Sequence, residues 1–403
     1  MHLIERYALN TGVKIDRPEV YQDYFPVPFK KFIVFAPLGK NHKKYLFWQE
    51  VVNLLTPVFE KNDIKILQVG ADKNVMPFHG AMSVAGQTSL NNLSYIVDKS
   101  LLYLGVDCFI TQISSLFDKK IVALYSHVNV SNRGPYWGSK ENQILIEPDR
   151  KDGHKPCYSQ WDSNDYINKI APEKIAKAVC KLLNLEFNYP YNTIFGGKLY
   201  HKLSVDLVPT ENKLVKDYDI NANVSEIMIR MDWNHDEKNL LELLKEARSK
   251  CGIILNKQVP FNLLSKFSNK ISEIVLIYDG KNLNQLTEDY VKMLDIVTKN
   301  TSIYSHENKE ANDKFKSQCM DYAVLNEVPW PKKPKEIEAY NDEKIYFKSN
   351  KRVLANGKVY NCYYNYKNDI PEKNFALNSH SEIVDDKDFW KDVNSFHLLT
   401  KNH

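Results

Sequence analysis

No two of the six cysteines stand in a C-x-x-C spacing; they are scattered at positions 108, 157, 180, 251, 319 and 362. That pattern argues against a zinc ribbon and gives no disulfide framework, so reduced thiols are expected. No apolar run approaches the roughly 20 residues of a membrane helix. The opening MHLIERYALNTG has neither an apolar signal core nor a small-residue cleavage site, so a cytoplasmic protein is expected. G-x-G-x-x-G is missing, as is the G-x-x-x-x-G-K-[ST] phosphate loop, which disfavours dehydrogenases and NTPases. Arginines are few beside the lysines. A net charge of +4 therefore permits nucleic-acid contact without requiring it.

What is present is an α/β alternation. Residues 1–30 mix aromatics and prolines and read as an extended arm. From 31 to 186, strands predicted at Phe32–Pro37, Lys65–Val69, 102–107, Ile121–Tyr125 and Ile144–Glu147 alternate with helices. The strands are continuous apolar runs, as suits a parallel sheet covered on both faces. A connector rich in Tyr, Asn, Pro and Gly follows, NYPYNTIFGGKLYHK. A second α/β domain is expected from 187 to 330, opening with a strand that ends at Met231. From 331 to 403 a C-terminal extension is expected, with a hairpin about Asn356-Gly357 and a closing helix from Asp385 to Leu399.

One stretch organises the first domain. Gly86 to Tyr125 reads as helix, strand, turn, helix and strand, with Asp107 just past the carboxyl end of its first strand. Open α/β sheets bind ligands there, and the next helix points its N–H groups at the same crevice. Asp107 is also a candidate helix cap, Thr88 likewise, and Lys43 and Lys44 are candidate phosphate partners in the loop after the first strand. Arg133 and Trp137, in the loop after Tyr125, could flank a base or a sugar.

These residues, taken in order, resemble the nucleotide-sugar-binding half of glycosyltransferase family nine, the heptosyltransferase-like enzymes. The likeness is carried by Leu38-Gly39 with Lys44, by Gly86-Gln87-Thr88-Ser89-Leu90, by Gly105 to Gln112, and by Val122–Tyr125 with Gly134-Pro135. It covers roughly residues 30–185 as an ordered set. It implies a GT-B-like fold of two facing Rossmann-like doubly wound domains. Metal-independent, inverting sugar transfer is implied with it, a nucleotide-diphosphate sugar being the donor and no cofactor being needed. The implied donor site comprises Gly39, Lys44, Thr88, Asp107, Cys108, Phe109, Gln112 and Arg133. Three of these depart from the family pattern, since Cys108, Phe109 and Gln112 stand where it has Ser, Gly and His.

The order of the halves departs too. The family places its acceptor half first, so the present order implies a circular permutation, with the acceptor half at 187–330. In the family an Asp after that half's first strand is the base, and the groups available here are Asp232, His235 and Asp236. Asn234 or Asp236 could instead merely cap the next helix. The acceptor implied is a surface saccharide. A rival is a hydroxymethylated base in DNA, as modified in phage-infected cells, suggested by the lysine- and tyrosine-rich segment Lys344–Tyr366. A non-catalytic nucleotide-sugar-binding or scaffold protein is the third reading. Two D-x-D pairs, Asp386/Asp388 and Asp217/Asp219, read as structural rather than metal-binding.

Overall fold

The computed structural model describes residues 1–39, 43–150, 153–158, 166–210, 224–319, 322–340, 343–372 and 379–401. Its chain divides into two compact units, Met1–Thr193 with Lys401–His403, and Ile194–Thr400. The architecture is mixed α/β built on parallel sheets.

In chain order the first unit holds α1 (Leu3–Thr11), β1 (Phe32–Ala36), α2 (Trp48–Lys61), β2 (Lys65–Gln68), β3 (Ala81–Ser83), α3 (Leu90–Lys99), β4 (Leu102–Val106), α4 (Phe109–Leu116), β5 (Lys120–Leu124), α5 (Val130–Arg133), β6 (Gln143–Ile146) and α6 (Pro172–Leu183). Its six strands are all parallel, in the order β3-β2-β1-β4-β5-β6. The order reverses between β1 and β4, which opens a crevice beyond the carboxyl ends of those two strands. Every residue of β1 and β4 is buried, as their unbroken apolar runs predict.

Gly105 lets β4 lie close to β1. A Cβ there would sit 2.5 Å from the Ala36 carbonyl oxygen and 2.6 Å from the Tyr103 hydroxyl. Gly105→Ala is therefore expected to cost about 2 kcal/mol by overpacking, read as a lower midpoint in urea unfolding. A midpoint equal to wild type would show that the two strands can spread.

The N-terminal arm is not extended throughout. Residues 3–11 form α1, because the His2 ring and Glu5 cap its first turn reciprocally and Gly12 ends it in the left-handed region. The prolines that suggested extension begin only at Pro18.

The second unit continues with β7 (Tyr191–Gly196, across the boundary), β8 (Leu203–Leu207), β9 (Val224–Arg230), α7 (Glu237–Glu246), β10 (Cys251–Leu255), α8 (Phe261–Lys266), β11 (Ile271–Tyr278), α9 (Glu288–Val297), β12 (Thr301–Ser305), α10 (Lys309–Cys319) and β13 (Leu325–Glu327). After these come β14 (Ile345–Ser349), β15 (Lys351–Ala355), β16 (Lys358–Tyr360), α11 (Tyr363–Lys367), β17 (Ser381–Glu382), α12 (Lys387–Trp390) and β18 (Phe396–Lys401). One sheet runs β13-β12-β11-β10-β9-β8-β15-β16, parallel except for the last pair. A four-stranded sheet runs β17-β14-β18-β7.

The hairpin about Asn356-Gly357 is there. Both residues have positive φ, 51° and 72°, and Ala355 pairs with Lys358, the two-residue turn that this dipeptide favours. β14, just before it, belongs to the other sheet. The closing helix predicted from Asp385 to Leu399 is wrong. Only Lys387–Trp390 is α-helical, and Phe396–Lys401 is a strand paired antiparallel with β14. Apolar Phe389, Val393 and Phe396 fit helical spacing, but they bury equally well as a turn and a strand.

Candidate functional site

The crevice between β1 and β4 opens into a cavity of about 390 Å³. Lys43 enters it from the loop after β1, and Asp107, Cys108, Phe109 and Gln112 from the turn after β4 and the start of α4. Arg133 and Trp137 close it on the β5 side, and His2, Leu3 and Ile4 of the N-terminal segment form a further wall.

The Lys43 ammonium donates to the Asp107 main-chain carbonyl at 2.6 Å and to its Oδ2 at 2.9 Å. Lysine has three protons to donate, so one is left for a ligand. Gly39 makes this placement possible. The chain folds back so tightly that a Cβ on Gly39 would lie 2.6 Å from the Lys43 carbonyl oxygen. Lys43, not Lys44, thus faces the cavity. Lys44 is exposed, and its carbonyl accepts from Asn168.

Asp107 does not cap α4; Cys108 occupies the cap position, and its N–H donates to Thr111 Oγ1 at 3.3 Å. The carboxylate of Asp107 is thereby left to Lys43. The Cys108 thiol lies 3.2 Å from the Tyr103 hydroxyl, which itself donates to the Val106 carbonyl at 2.8 Å. Burial, and next the neighbouring Cys108, push the Tyr103 phenol well above its usual range, so it stays a donor. Tyr125 is fully buried and likewise raised, by burial and then by Asp107; its hydroxyl has no partner among the described residues.

Gln112 donates from Nε2 to the Arg133 carbonyl at 3.3 Å. Its shielded Oε1 has no partner among the described residues. Phe109 stands 48% exposed at the mouth of the cavity. Thr88 does not line the cavity, and the cap of α3 is Ser89, which accepts from Asn92 N–H at 3.1 Å. Sequence reasoning missed the N-terminal wall. The one available signal was the reciprocal cap of His2 and Glu5, which marks a helix start although histidine is an uncommon cap.

In the second unit, the three candidate bases lie in the turn after β9 and are engaged differently. Asp232 accepts from Nε and Nη2 along one edge of the Arg230 guanidinium, at 2.8 Å and 2.6 Å. Acting as a base would mean giving up that bidentate pair, against the first choice made from sequence. Asp236 caps α7, accepting from Asn239 N–H at 3.0 Å. His235 keeps Nε2 at 3.8 Å from Glu237, and its Nδ1 has no partner among the described residues.

Arg230 and Asp232 end a buried chain of charges. Asp392 meets Lys351 at 2.9 Å, Lys351 meets Asp206 at 2.8 Å, and Asp206 meets Arg230 at 3.3 Å. The Arg230 guanidinium also lies 3.7 Å from the centre of the Trp233 ring, which stacks on Tyr366. The lysines once considered for DNA are occupied as well. Lys344 pairs with Glu382, Lys351 with Asp206 and Asp392, and Lys358 with Asp369. Asp386 caps α12, and Asp388 is paired with Lys391, so that D-x-D is structural; Asp217 and Asp219 lie outside the described residues.

Among the described residues no group of three or more His, Cys, Asp or Glu side chains is placed to hold a metal ion. No helix among them is long and apolar enough to cross a membrane.

No family model matches the sequence. No curated protein matches it either. Among solved structures the chain is similar to the E. coli ADP-heptose LPS heptosyltransferase II, at 14% identity and a TM-score of 0.31 over 39% of this chain and 48% of that one. It is similar to a family nine glycosyltransferase from Veillonella parvula, at 18% identity and a TM-score of 0.32 over 38% and 46% of the two chains. A third is the E. coli heptosyltransferase WaaC with ADP, at 14% identity and a TM-score of 0.32 over 45% and 57%. The chain spans about half the length of these structures.

Proposed function

We propose that this chain is a glycosyltransferase that takes its sugar from a nucleoside-diphosphate donor. The observation that carries the reading is the Lys43–Asp107 pair, set where the strand order reverses and facing a cavity of ligand size. Lys43, the exposed Arg133 and the N–H groups at the start of α4 supply positive charge for a diphosphate without a metal. In the reaction the oxygen of an acceptor hydroxyl bonds to the anomeric carbon from the side opposite the diphosphate. The bond from that carbon to the diphosphate oxygen breaks, and the leaving diphosphate keeps the electron pair. The hydroxyl proton passes to a base. The acceptor is a saccharide rather than DNA, because Lys344, Lys351 and Lys358 of the segment that would meet a duplex are paired with carboxylates.

The test incubates the chain with a panel of nucleoside-diphosphate sugars, with saccharide and duplex DNA acceptors side by side, read by mass spectrometry. Release of the nucleoside diphosphate with sugar gained by a saccharide is the expected result. Binding without turnover of any donor would instead make this a nucleotide-sugar-binding protein, and modified DNA would reverse the choice of acceptor.

A further inference from the structure

The cavity lining mixes two chemistries, and only one of them suits a diphosphate. Lys43 and Arg133 bear the charge, whereas Leu3, Ile4, Phe109 and Trp137 present apolar surface. Resting on the nucleotide-sugar reading, we infer that α1 is the wall for the nucleoside end of the donor, with Leu3 and Ile4 packing on it while the diphosphate lies at Lys43.

Two observations support the assignment. The first turn of α1 is pinned at the cavity by one side chain. His2 Nε2 donates to the Gly134 carbonyl at 2.9 Å, while Nδ1 accepts from Ile4 N–H at 3.2 Å. A carbonyl can only accept and an N–H can only donate, so the ring is neutral with its proton on Nε2. This fixes Leu3 and Ile4 at the rim before any ligand arrives. Second, no residue of α1 is buried. A helix with so little packing has low local stability, and covering its apolar first turn with a ligand would add the contact it lacks.

Titration calorimetry on the full chain tests this with ADP, UDP, GDP and CDP beside inorganic pyrophosphate. Ile4→Asp is the variant of choice, because an acidic residue in the first turn favours the helix while it spoils the apolar wall. The tightest-binding nucleoside diphosphate is expected to lose affinity by about tenfold in Ile4→Asp, the equivalent of about 1.4 kcal/mol. Pyrophosphate should bind as it does to wild type, and Lys43→Ala should weaken both ligands. Amide exchange in residues 3–11 should also slow when that nucleoside diphosphate is added. Unchanged nucleoside-diphosphate affinity in Ile4→Asp, or an equal loss for pyrophosphate, would overturn the role of α1 and leave the donor site standing. Where pyrophosphate binds too weakly to measure, unchanged exchange in α1 overturns it. Failure of every diphosphate to bind wild type would overturn the nucleotide-sugar reading itself.

Discussion

Asp107→Ala is expected to lower sugar-donor turnover by on the order of 10²-fold, the usual scale for losing one aligned electrostatic group in an active site. Binding of the nucleoside diphosphate should not weaken with it. The reason lies in what Asp107 does for Lys43. Its Oδ2 fixes the ammonium from one side and its own carbonyl from another, at 2.9 Å and 2.6 Å. Without the carboxylate only the carbonyl holds Lys43, and the ammonium can swing away from the leaving diphosphate as charge develops on it. The cavity also loses one negative charge, which favours an anion in the ground state. A fall in kcat with unchanged or tighter binding is therefore the signature, and Asp107→Asn, which keeps an acceptor, should lie between. The fold should survive, since the lysine side chain is 22% exposed and can be solvated when unpaired. Wild-type turnover in Asp107→Ala would remove this pair from the mechanism.

Lys351→Met should cost about 3–5 kcal/mol, the usual scale for breaking a buried ion pair from one side. For a unit of this size that is a fall in Tm of roughly 10 °C. Asp206 and Asp392 have side-chain exposures of only 5% and 8%, and both depend on Lys351. Asp206 would keep Arg230, whereas Asp392 would keep, among the described residues, neutral donors such as Tyr363 N–H. Burial acts against the charge on Lys351, but Asp206 and then Asp392 outweigh it, so its pKa is raised. A lysine raised in the folded state gives its full stabilisation below its unfolded value, about 10.4. That contribution is lost as pH climbs through the folded value. The gap between wild type and Lys351→Met should accordingly be flat through neutral pH and shrink in strong alkali. Lys358, paired with Asp369 at the surface, is the control, and Lys358→Met should unfold like wild type. Matching melting curves for both variants would show that the buried chain is not holding the unit.

The doubly wound sheet was legible because β1, β4 and β5 are buried on both faces and therefore read as unbroken apolar runs. Asp107 was legible for a related reason, standing at the end of such a run and before a helix. Which lysine faced it was not, since Lys43 and Lys44 are neighbours and only the backward fold at Gly39 selects between them. The His2–Ile4 wall was signalled only as a helix start, because no local pattern links residue 2 to residue 134. In the second unit β8 was overlooked, although Leu203, Val205 and Leu207 alternate as a strand should. Its pairing with β15 joins residues about 150 apart, and the ionic chain depends on that pairing. Asp232 reads as free in sequence because nothing in the pattern shows that Arg230, the last residue of β9, turns its guanidinium back to it.

The position of β18 bears on how the chain is made. It is an inner strand of the four-stranded sheet, lying between β14 and β7, yet it is synthesised after every other strand of that sheet. About 200 residues separate β7 from it, so at 5–20 residues per second β7 emerges roughly 10–40 s before its partner exists. Through that interval the nascent chain carries an open strand edge available to other chains. A premature stop near residue 395 would make that exposure permanent, and should send the protein to chaperones and proteases.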